Sequence, residues 1–213
     1  MPVRIKICGI TNRADAEEAA TLGADMIGLN FYLKSPRCID DTMAQRIVSA
    51  LPSQVEPIAL FVNEPPASAQ RIARSLGIAT VQVHGDHPLT LPADGRWILA
   101  FSIADAQDVR QITSHLDLLR QAGTYPHAIL VDARVPGMFG GTGQTAPWRL
   151  LADLDLGVPL ILAGGLTPDN VAEAIRIVRP YAVDVASGVE SSPGKKDADK
   201  MRRFIDAVRT SSA

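Results

Sequence analysis

A thiol and a carboxyl group each end a short apolar segment of this chain, and together they could act as one base and one acid. Cys8 ends the β-branched run that begins at Val3, and Asp132 ends the run that begins at Ala128. A strand that ends in an ionisable side chain and passes through a loop into a helix is how a (β/α)8 barrel presents reactive groups at its C-terminal face. We therefore expect the two side chains to act on one substrate at that face, since successive proton transfers need an acid and a base.

Apolar runs that look like strands alternate with helical stretches along the chain. The predicted strands are Val3–Cys8, Met26–Asn30, Glu56–Val62, Thr80–Val83, Trp97–Phe101, Ala128–Asp132, Leu160–Ala163 and Ala182–Ala186. The predicted helices are Asp15–Leu22, Thr42–Leu51, Ala67–Leu76, Ala106–Gln121, Pro147–Leu154, Asp169–Val178 and Ala198–Thr210, with only a short one expected in Asp86–Pro92. Glycines that could end helices in a left-handed conformation stand before three of the strands, at Gly23, Gly77 and Gly157.

The strands are almost continuously apolar, which indicates a parallel sheet that is covered by helices. Eight βα units could form a closed barrel or an open doubly wound sheet. No G-x-G-x-x-G turn follows the first strand, where a dinucleotide site in an open sheet would need one. We therefore predict an α/β protein with a single (β/α)8 TIM-barrel domain over residues 1–213.

Composition argues against several classes of protein. The 213 residues are 46% hydrophobic and 21% charged, and the net charge of −2 gives no reason to expect nucleic acid or a membrane as partner. The chain has no apolar stretch of about 18 residues and no signal-peptide pattern at its start, and two cysteines fit a reducing compartment. The expectation is a cytoplasmic protein, monomer or homodimer, that acts on a small molecule.

Two glycine turns follow the seventh and eighth predicted strands and suit a phosphate group. The first contains Gly164 and Gly165, and the second contains Ser187 and Gly188. Glycine lets backbone N–H groups approach an anion closely, and barrels often bind phosphate between these two loops and a short extra helix. The stretch Val189–Gly194 leaves room for such a helix. The alternative is that both are simply tight turns.

A third glycine turn, Gly140–Gly143, follows the sixth predicted strand. Its loop is about a dozen residues long and carries apolar side chains, which suits a lid over the mouth of a barrel. We place Gly141 among the phosphate-binding groups.

Several short segments stand in a fixed order along the chain, from residue 3 to about residue 207. They are Lys6–Thr11, Lys34–Arg37, Val81–Gly85, Gly140–Gly143, Ala163–Leu166 with Pro168 and Asn170–Val171, Asp184–Glu190, and Pro193–Asp197. In this order they closely resemble phosphoribosylanthranilate isomerase. The resemblance implies an eight-stranded barrel of tryptophan biosynthesis that converts N-(5-phosphoribosyl)anthranilate to 1-(2-carboxyphenylamino)-1-deoxyribulose 5-phosphate without a cofactor.

The resemblance also implies roles for individual residues. Asp132 matches the general acid that protonates the furanose ring oxygen, and Cys8 matches the general base that takes the proton from C2 of the opened sugar. Arg37 matches the residue that holds the anthranilate carboxylate, for which a planar guanidinium is suited. Asp132 would need a pKa above the usual value of about 3.9, and the Cys8 thiolate would need a nearby positive charge or dipole.

Lys6 and Asp184 are charged residues inside predicted strands. A closed barrel pairs its first and eighth strands, so we hypothesise that the two form a buried ion pair that biases Cys8. The alternative is two unrelated structural charges. We also predict that Asp184 and His84 bind the substrate.

His84 and His87 have a spacing that could suggest a metal ion, but no third ligand accompanies them, so no metal site is predicted.

The chain departs from the family pattern in two places. Thr145 is followed by Ala146-Pro147-Trp148 where the family usually has Thr-Phe-Asp-Trp, and Val83 stands where leucine is common. Proline is well tolerated at the first position of a helix, but any packing by the usual aromatic residue is lost.

Two other functions remain open at the level of sequence. The chain could be a related barrel that acts on another phosphorylated aminosugar, such as the isomerase of histidine biosynthesis or a dual-substrate relative. It could also be a non-catalytic protein that binds a phosphorylated ligand. The first group typically pairs two aspartates at the corresponding strand ends, whereas this chain has Cys8. The presence of both Cys8 and Asp132 favours the phosphoribosylanthranilate isomerase over both alternatives.

Overall fold

The computed structural model describes residues 2–85, 90–132, 148–152 and 154–211. Eight parallel strands close into a barrel in the order of the chain. The barrel strands are β1 (Arg4–Cys8), β2 (Met26–Asn30), β3 (Glu56–Val62), β4 (Thr80–His84), β5 (Arg96–Ser102), β6 (Ala128–Asp132), β7 (Leu160–Ala163) and β8 (Ala182–Val185). The helices of the described residues are α1 (Arg13–Leu22), α2 (Asp41–Val48), α3 (Pro66–Ser75), α4 (Ala106–Gln121), α5 (Val171–Val178) and α6 (Ala198–Ser211).

The closed barrel expected from the sequence is confirmed. Strand β1 pairs with β2 on one side and with β8 on the other, and the second pairing places Lys6 opposite Asp184. The side chains on the outer face of the barrel pack against the helices, and those on the inner face fill the barrel interior. This burial on both faces explains why the strand sequences are almost continuously apolar. The interior cluster consists of Met26, Ile58, Ile98, Ala100, Ala128, Leu130, Ile161, Ala163 and Ala182.

Helix ends are set by local caps. The side chain of Asn12 accepts a hydrogen bond from the Asp15 backbone N–H at 2.9 Å, so α1 begins at Arg13 rather than at Asp15 as predicted. The three glycines that were expected to end helices all have left-handed φ angles, 102° at Gly23, 74° at Gly77 and 68° at Gly157. Gly23 and Gly77 follow α1 and α3 as expected, whereas no helix of the described residues ends at Gly157.

The helix predicted over Pro147–Leu154 is wrong within the described residues. Only Trp148–Leu150 forms a helical turn there, and it is a 3₁₀ turn. The carboxylate of Asp155 accepts a hydrogen bond from the Gly157 backbone N–H at 2.9 Å. Such a local side-chain bond stabilises a turn and competes with continued helix.

The extra helix expected within Val189–Gly194 is also wrong. A 3₁₀ turn at Ser187–Val189 leads into a hairpin of β9 (Glu190–Ser192) and β10 (Lys195–Lys196). The hairpin turn contains Pro193 and Gly194, and Gly194 has a φ of 81°. Proline followed by a left-handed glycine favours a tight turn over a helix.

The short helix expected in Asp86–Pro92 lies largely outside the described residues, and positions 90–92 are not helical. Within the described ranges, no helix is both long and apolar enough to cross a bilayer.

Candidate active site

The C-terminal ends of the strands bring several predicted site residues to one mouth of the barrel. Cys8, His84 and Asp132 are the last residues of β1, β4 and β6. Because all eight strands are parallel, these residues lie at the same end of the molecule. β7 and β8 stand between β6 and β1, so Cys8 and Asp132 approach the mouth from different sides. The arrangement therefore allows an acid and a base to act on one ligand.

Cys8 lies beside a buried ion pair. Lys6 Nζ donates to Asp184 Oδ1 at 2.8 Å, and no part of the Lys6 side chain is exposed. Cys8 stands two residues further along the same face of β1, and the positive charge of Lys6 lowers the pKa of its thiol. The buried ion pair that was hypothesised from the sequence is thus confirmed, and it lies beside the thiol.

Gly28 leaves the space in which these groups meet. It lies opposite Cys8 in β2, and a Cβ atom added to it would be 2.7 Å from Cys8 Sγ and 2.9 Å from Lys6 Nζ. Any larger residue would displace both atoms. No role was predicted for Gly28 from the sequence, although a glycine inside an apolar strand often marks a close approach of other groups.

Burial raises the pKa of the Cys8 thiol, and the positive charge of Lys6 offsets this only in part. Burial alone would lower the pKa of Lys6, but Asp184 and Cys8 together outweigh it and the pKa of Lys6 is raised. The cation that was expected next to Cys8 is therefore present. The net shift of the thiol pKa nevertheless has the opposite sign to the expected one, because desolvation of the thiolate is the larger effect.

A second charged cluster adjoins Cys8, and sequence analysis assigned it no role except at Arg37. The guanidinium of Arg37 donates two hydrogen bonds to the Glu190 carboxylate, from Nε to Oε1 at 2.7 Å and from Nη2 to Oε2 at 2.5 Å. Lys196 Nζ donates to Glu190 Oε1 at 2.9 Å and to the Cys8 carbonyl at 2.7 Å. We call Arg37, Glu190 and Lys196 the charge bridge. Glu190 and Lys196 belong to segments that carried the family resemblance, which is the signal that could have identified them.

His84 forms part of a polar contact inside the mouth. Its Nε2 is 2.6 Å from Nε2 of Gln82, which is almost fully buried at 1% exposure. His84 is thus a hydrogen-bonding residue at the mouth, as expected, while its contact with substrate stays a prediction. In the part of the chain that the structure describes, no group of three or more His, Cys, Asp or Glu side chains is placed to hold a metal ion.

The two glycine turns that were expected to bind phosphate touch each other. Gly188 lies so close to Leu166 that a Cβ atom on the glycine would overlap the Leu166 carbonyl oxygen. Gly164 and Gly165 have φ angles of 92° and 63°, which only glycine adopts readily. The loops after β7 and β8 therefore meet at the mouth, with Ser187 at the start of the second turn.

Part of the predicted site lies outside the described residues. Gly141 and the predicted lid fall in 133–147, and His87 falls in 86–89. The same holds for Ala146 and Pro147, where the sequence departs from the family pattern. These assignments remain predictions.

Comparison with known proteins identifies the family. A family model described as N-(5'phosphoribosyl)anthranilate (PRA) isomerase matches residues 5–207. The chain belongs to this family. The resemblance drawn from the ordered motifs is thereby confirmed, and with it the assignment of the chain as an isomerase of tryptophan biosynthesis.

Individual relatives agree with the family assignment over nearly their whole length. The N-(5'-phosphoribosyl)anthranilate isomerase of Acidithiobacillus ferrooxidans is 48% identical over 209 residues, which cover 97% of this chain and 98% of the relative. The enzyme of the same name from Pseudomonas aeruginosa strain LESB58 is 46% identical over 212 residues, which cover 98% and 96%.

Solved structures of the family have the same fold. The phosphoribosyl anthranilate isomerase of Thermotoga maritima superposes with a TM-score of 0.85 at 38% identity, covering 98% of this chain and 99% of the other. A second phosphoribosyl anthranilate isomerase was solved in complex with reduced 1-(o-carboxyphenylamino)-1-deoxyribulose 5-phosphate. It has a TM-score of 0.80 at 35% identity, again covering 98% and 99%.

Proposed function

We propose that this mouth isomerises N-(5-phosphoribosyl)anthranilate with Asp132 as general acid and Cys8 as general base. The observation that carries the proposal is the position of the two groups, a thiol at the end of β1 and a carboxyl at the end of β6, on different sides of one barrel mouth. Family membership supplies the reaction, and the match of Asp132 and Cys8 to the family's motifs suggests which of them is the acid and which is the base.

In the proposed reaction the Asp132 carboxyl gives its proton to the furanose ring oxygen. The C1–O bond then breaks, and C1 becomes part of a Schiff base with the anthranilate nitrogen. The Cys8 thiolate takes the proton from C2 and leaves an enolamine, which tautomerises to the ketone. Acid and base act one after the other on neighbouring atoms of one small sugar, so both must reach the same ligand.

The other predicted site residues are proposed to hold the three parts of the substrate, which are the carboxylate, the phosphate and the sugar. Arg37 binds the anthranilate carboxylate, and the backbone of the turns at Gly164-Gly165 and Ser187-Gly188 binds the phosphate. Asp184 and His84 line the sugar between them. The ligand that was solved with a family member carries both a carboxyphenyl group and a 5-phosphate, which suits this division of the mouth.

The test of the proposed function is turnover of the aminosugar by purified protein. Anthranilate-type fluorescence should change as N-(5-phosphoribosyl)anthranilate is consumed, with a rate proportional to protein concentration. A fully folded preparation that gives no change over the uncatalysed background would contradict the proposal. The related aminosugar of histidine biosynthesis serves as the second substrate, because comparable turnover of it would favour a dual-substrate enzyme.

The cellular location and the oligomeric state are further parts of the proposal. We infer a cytoplasmic location from the biosynthetic family. A Thermotoga maritima structure is described as monomers of a dimeric isomerase, so both monomer and homodimer are compatible with this fold. Light scattering during size-exclusion chromatography would distinguish the two.

Replacing Lys6 by methionine should move the pH profile of kcat/KM. Lys6 lowers the pKa of Cys8, so its loss raises that pKa further and the thiolate forms only at higher pH. Each unit of increase should lower kcat/KM near neutral pH about tenfold. The rising limb of the profile, measured from pH 6 to 10, should therefore shift to higher pH.

Loss of Lys6 also leaves the buried carboxyl of Asp184 without its partner. The double substitution Lys6→Met/Asp184→Asn is the control for folding, because it removes the whole ion pair and leaves no buried charge behind. If Lys6→Met folds and keeps the wild-type pH profile of kcat/KM, Lys6 does not change the pKa of Cys8.

A further inference from the structure

We infer that Glu190 is a positioning residue, held by Lys196, that fixes the direction of the Arg37 guanidinium toward the substrate carboxylate. The inference rests on the proposed function, since it assumes that Arg37 binds that carboxylate. It adds Glu190 and Lys196 to the residues on which substrate binding depends, although neither needs to touch the substrate.

The two hydrogen bonds to Glu190 occupy one edge of the Arg37 guanidinium. They use Nε and Nη2, at 2.7 and 2.5 Å. A guanidinium has a second edge, formed by Nη1 and Nη2, that can hold a carboxylate in the same two-pronged geometry. Because the group is planar, fixing the first edge also fixes the direction of the second.

The stem of Arg37 is fixed as well. It passes directly over Gly9, where a Cβ atom would overlap Arg37 Cδ, and Gly9 has a left-handed φ of 72°. Gly9 follows Cys8 in the chain, so the arginine crosses the end of β1 beside the proposed base. A carboxylate bound to its second edge would therefore lie close to the mouth.

The difference in exposure within the pair fits a positioning role. The Glu190 side chain is 4% exposed, whereas that of Arg37 is 21% exposed. Burial alone would raise the pKa of Glu190, but the hydrogen bonds from Arg37 and Lys196 outweigh it and the pKa lies below its usual value. The carboxylate thus stays ionised in the interior, while part of the Arg37 side chain remains exposed.

Lys196 explains how this carboxylate is tolerated inside the protein. Its Nζ, which is fully buried, donates to Glu190 Oε1 and to the carbonyls of Cys8 at 2.7 Å and Ala186 at 3.1 Å. It therefore joins the ends of β1 and β8 to the carboxylate that holds Arg37. Removal of one charge from such a cluster leaves the other buried without compensation.

An exposed pair on α1 gives a matched control. Arg13 and Glu17 form an ion pair at 2.7 Å, with side-chain exposures of 63% and 45%. Such surface pairs contribute little to stability. Glu17→Gln therefore makes the same chemical change as Glu190→Gln, but in an exposed ion pair instead of a buried one.

The experiment compares two stable ligands that differ only in the carboxylate. One is the reduced product analogue 1-(2-carboxyphenylamino)-1-deoxyribitol 5-phosphate, and the other is the same compound without the ring carboxylate. Wild type should bind the first about 10- to 100-fold more tightly. In Glu190→Gln this ratio should fall toward one, by about three- to tenfold, with a smaller change in affinity for the ligand that lacks the carboxylate. KM should rise by a similar factor, with less change in kcat, and Glu17→Gln should match wild type.

Each other result would overturn the inference. An unchanged ratio would mean that Arg37 is directed without Glu190, and a higher ratio would mean that Glu190 competes with the ligand. An equal loss of affinity for both ligands would indicate only a structural role. A wild-type ratio near one would contradict the proposed role of Arg37 itself, which separates the failure of that proposal from the failure of this inference. If Glu190→Gln does not fold, Glu190→Gln/Lys196→Met removes both buried charges and should show the same fall in the ratio.

Discussion

Asp132→Asn should lower kcat about 10²- to 10⁴-fold while the affinity for the reduced product analogue changes only a few-fold. Asparagine has nearly the same shape as aspartate but has no carboxyl proton to give to the ring oxygen, and loss of a general acid has effects of this size. The side chain ends β6 at the mouth, and its Oδ1 is out of contact with solvent. Steady-state fluorescence would give kcat, and titration with the analogue would give the dissociation constant.

The matched control for this variant is Asp117→Asn. Asp117 is an exposed aspartate of α4 that pairs with Arg120 on the surface. It should keep wild-type kinetics. Turnover by Asp132→Asn at the wild-type rate would remove Asp132 from the role of acid, and an equal loss of rate and of analogue binding would point to a distorted mouth instead.

Cys8→Ala should also lower kcat about 10²- to 10⁴-fold, because no group remains at the end of β1 to take the C2 proton. Burial raises the pKa of the Cys8 thiol, so in wild type kcat/KM should rise with pH as the thiolate forms. The residual activity of Cys8→Ala should lack that rising limb. A pH series of kcat/KM for both proteins would test the two expectations together.

The chain offers a second cysteine as the control. Cys38 is partly exposed in the loop after β2, and its Sγ makes only a weak 3.8 Å contact with the neighbouring Ile39 carbonyl. Cys38→Ala should therefore behave as wild type in rate and pH profile. Retention of the rising limb in Cys8→Ala would assign it to another group, and the proposed base would be wrong.

Asp132→Asn and Cys8→Ala should differ in their kinetic effects from Lys6→Met and Glu190→Gln. Lys6 is proposed to act through Cys8, and Glu190 through Arg37, so loss of Lys6 should change the pH profile and loss of Glu190 should change the ratio of ligand affinities. Loss of Asp132 or Cys8 removes a proton-transfer step itself. Stability measured by thermal unfolding should be recorded for each variant, because a folded fraction below one would lower every rate equally.

The amino-acid sequence by itself determined the closed barrel, most of its helices and the residues at the strand ends. These properties are encoded locally, because alternation of buried strands and amphipathic helices repeats along the chain. The glycines at positions 23 and 77 were likewise predictable, since a helix end favours the one residue without a Cβ atom. The pairing of Lys6 with Asp184 followed from closure of the barrel, which brings the first and last strands together.

Only the tertiary structure decided how these groups interact. The pKa of Cys8 is raised, whereas a lowered pKa was expected from the sequence. The direction depends on how deeply the thiol is buried, and no local sequence pattern gives that depth. The space at Gly28 and the charge bridge through Glu190 and Lys196 depend on distances between residues that are far apart in the chain. Likewise, the hairpin of β9 and β10 replaced a predicted helix because its antiparallel pairing and its Pro193-Gly194 turn outweighed the general expectation for barrels. Closure of the ring of strands creates the burial and the proximity that set this chemistry, and neither exists in the chain before it folds.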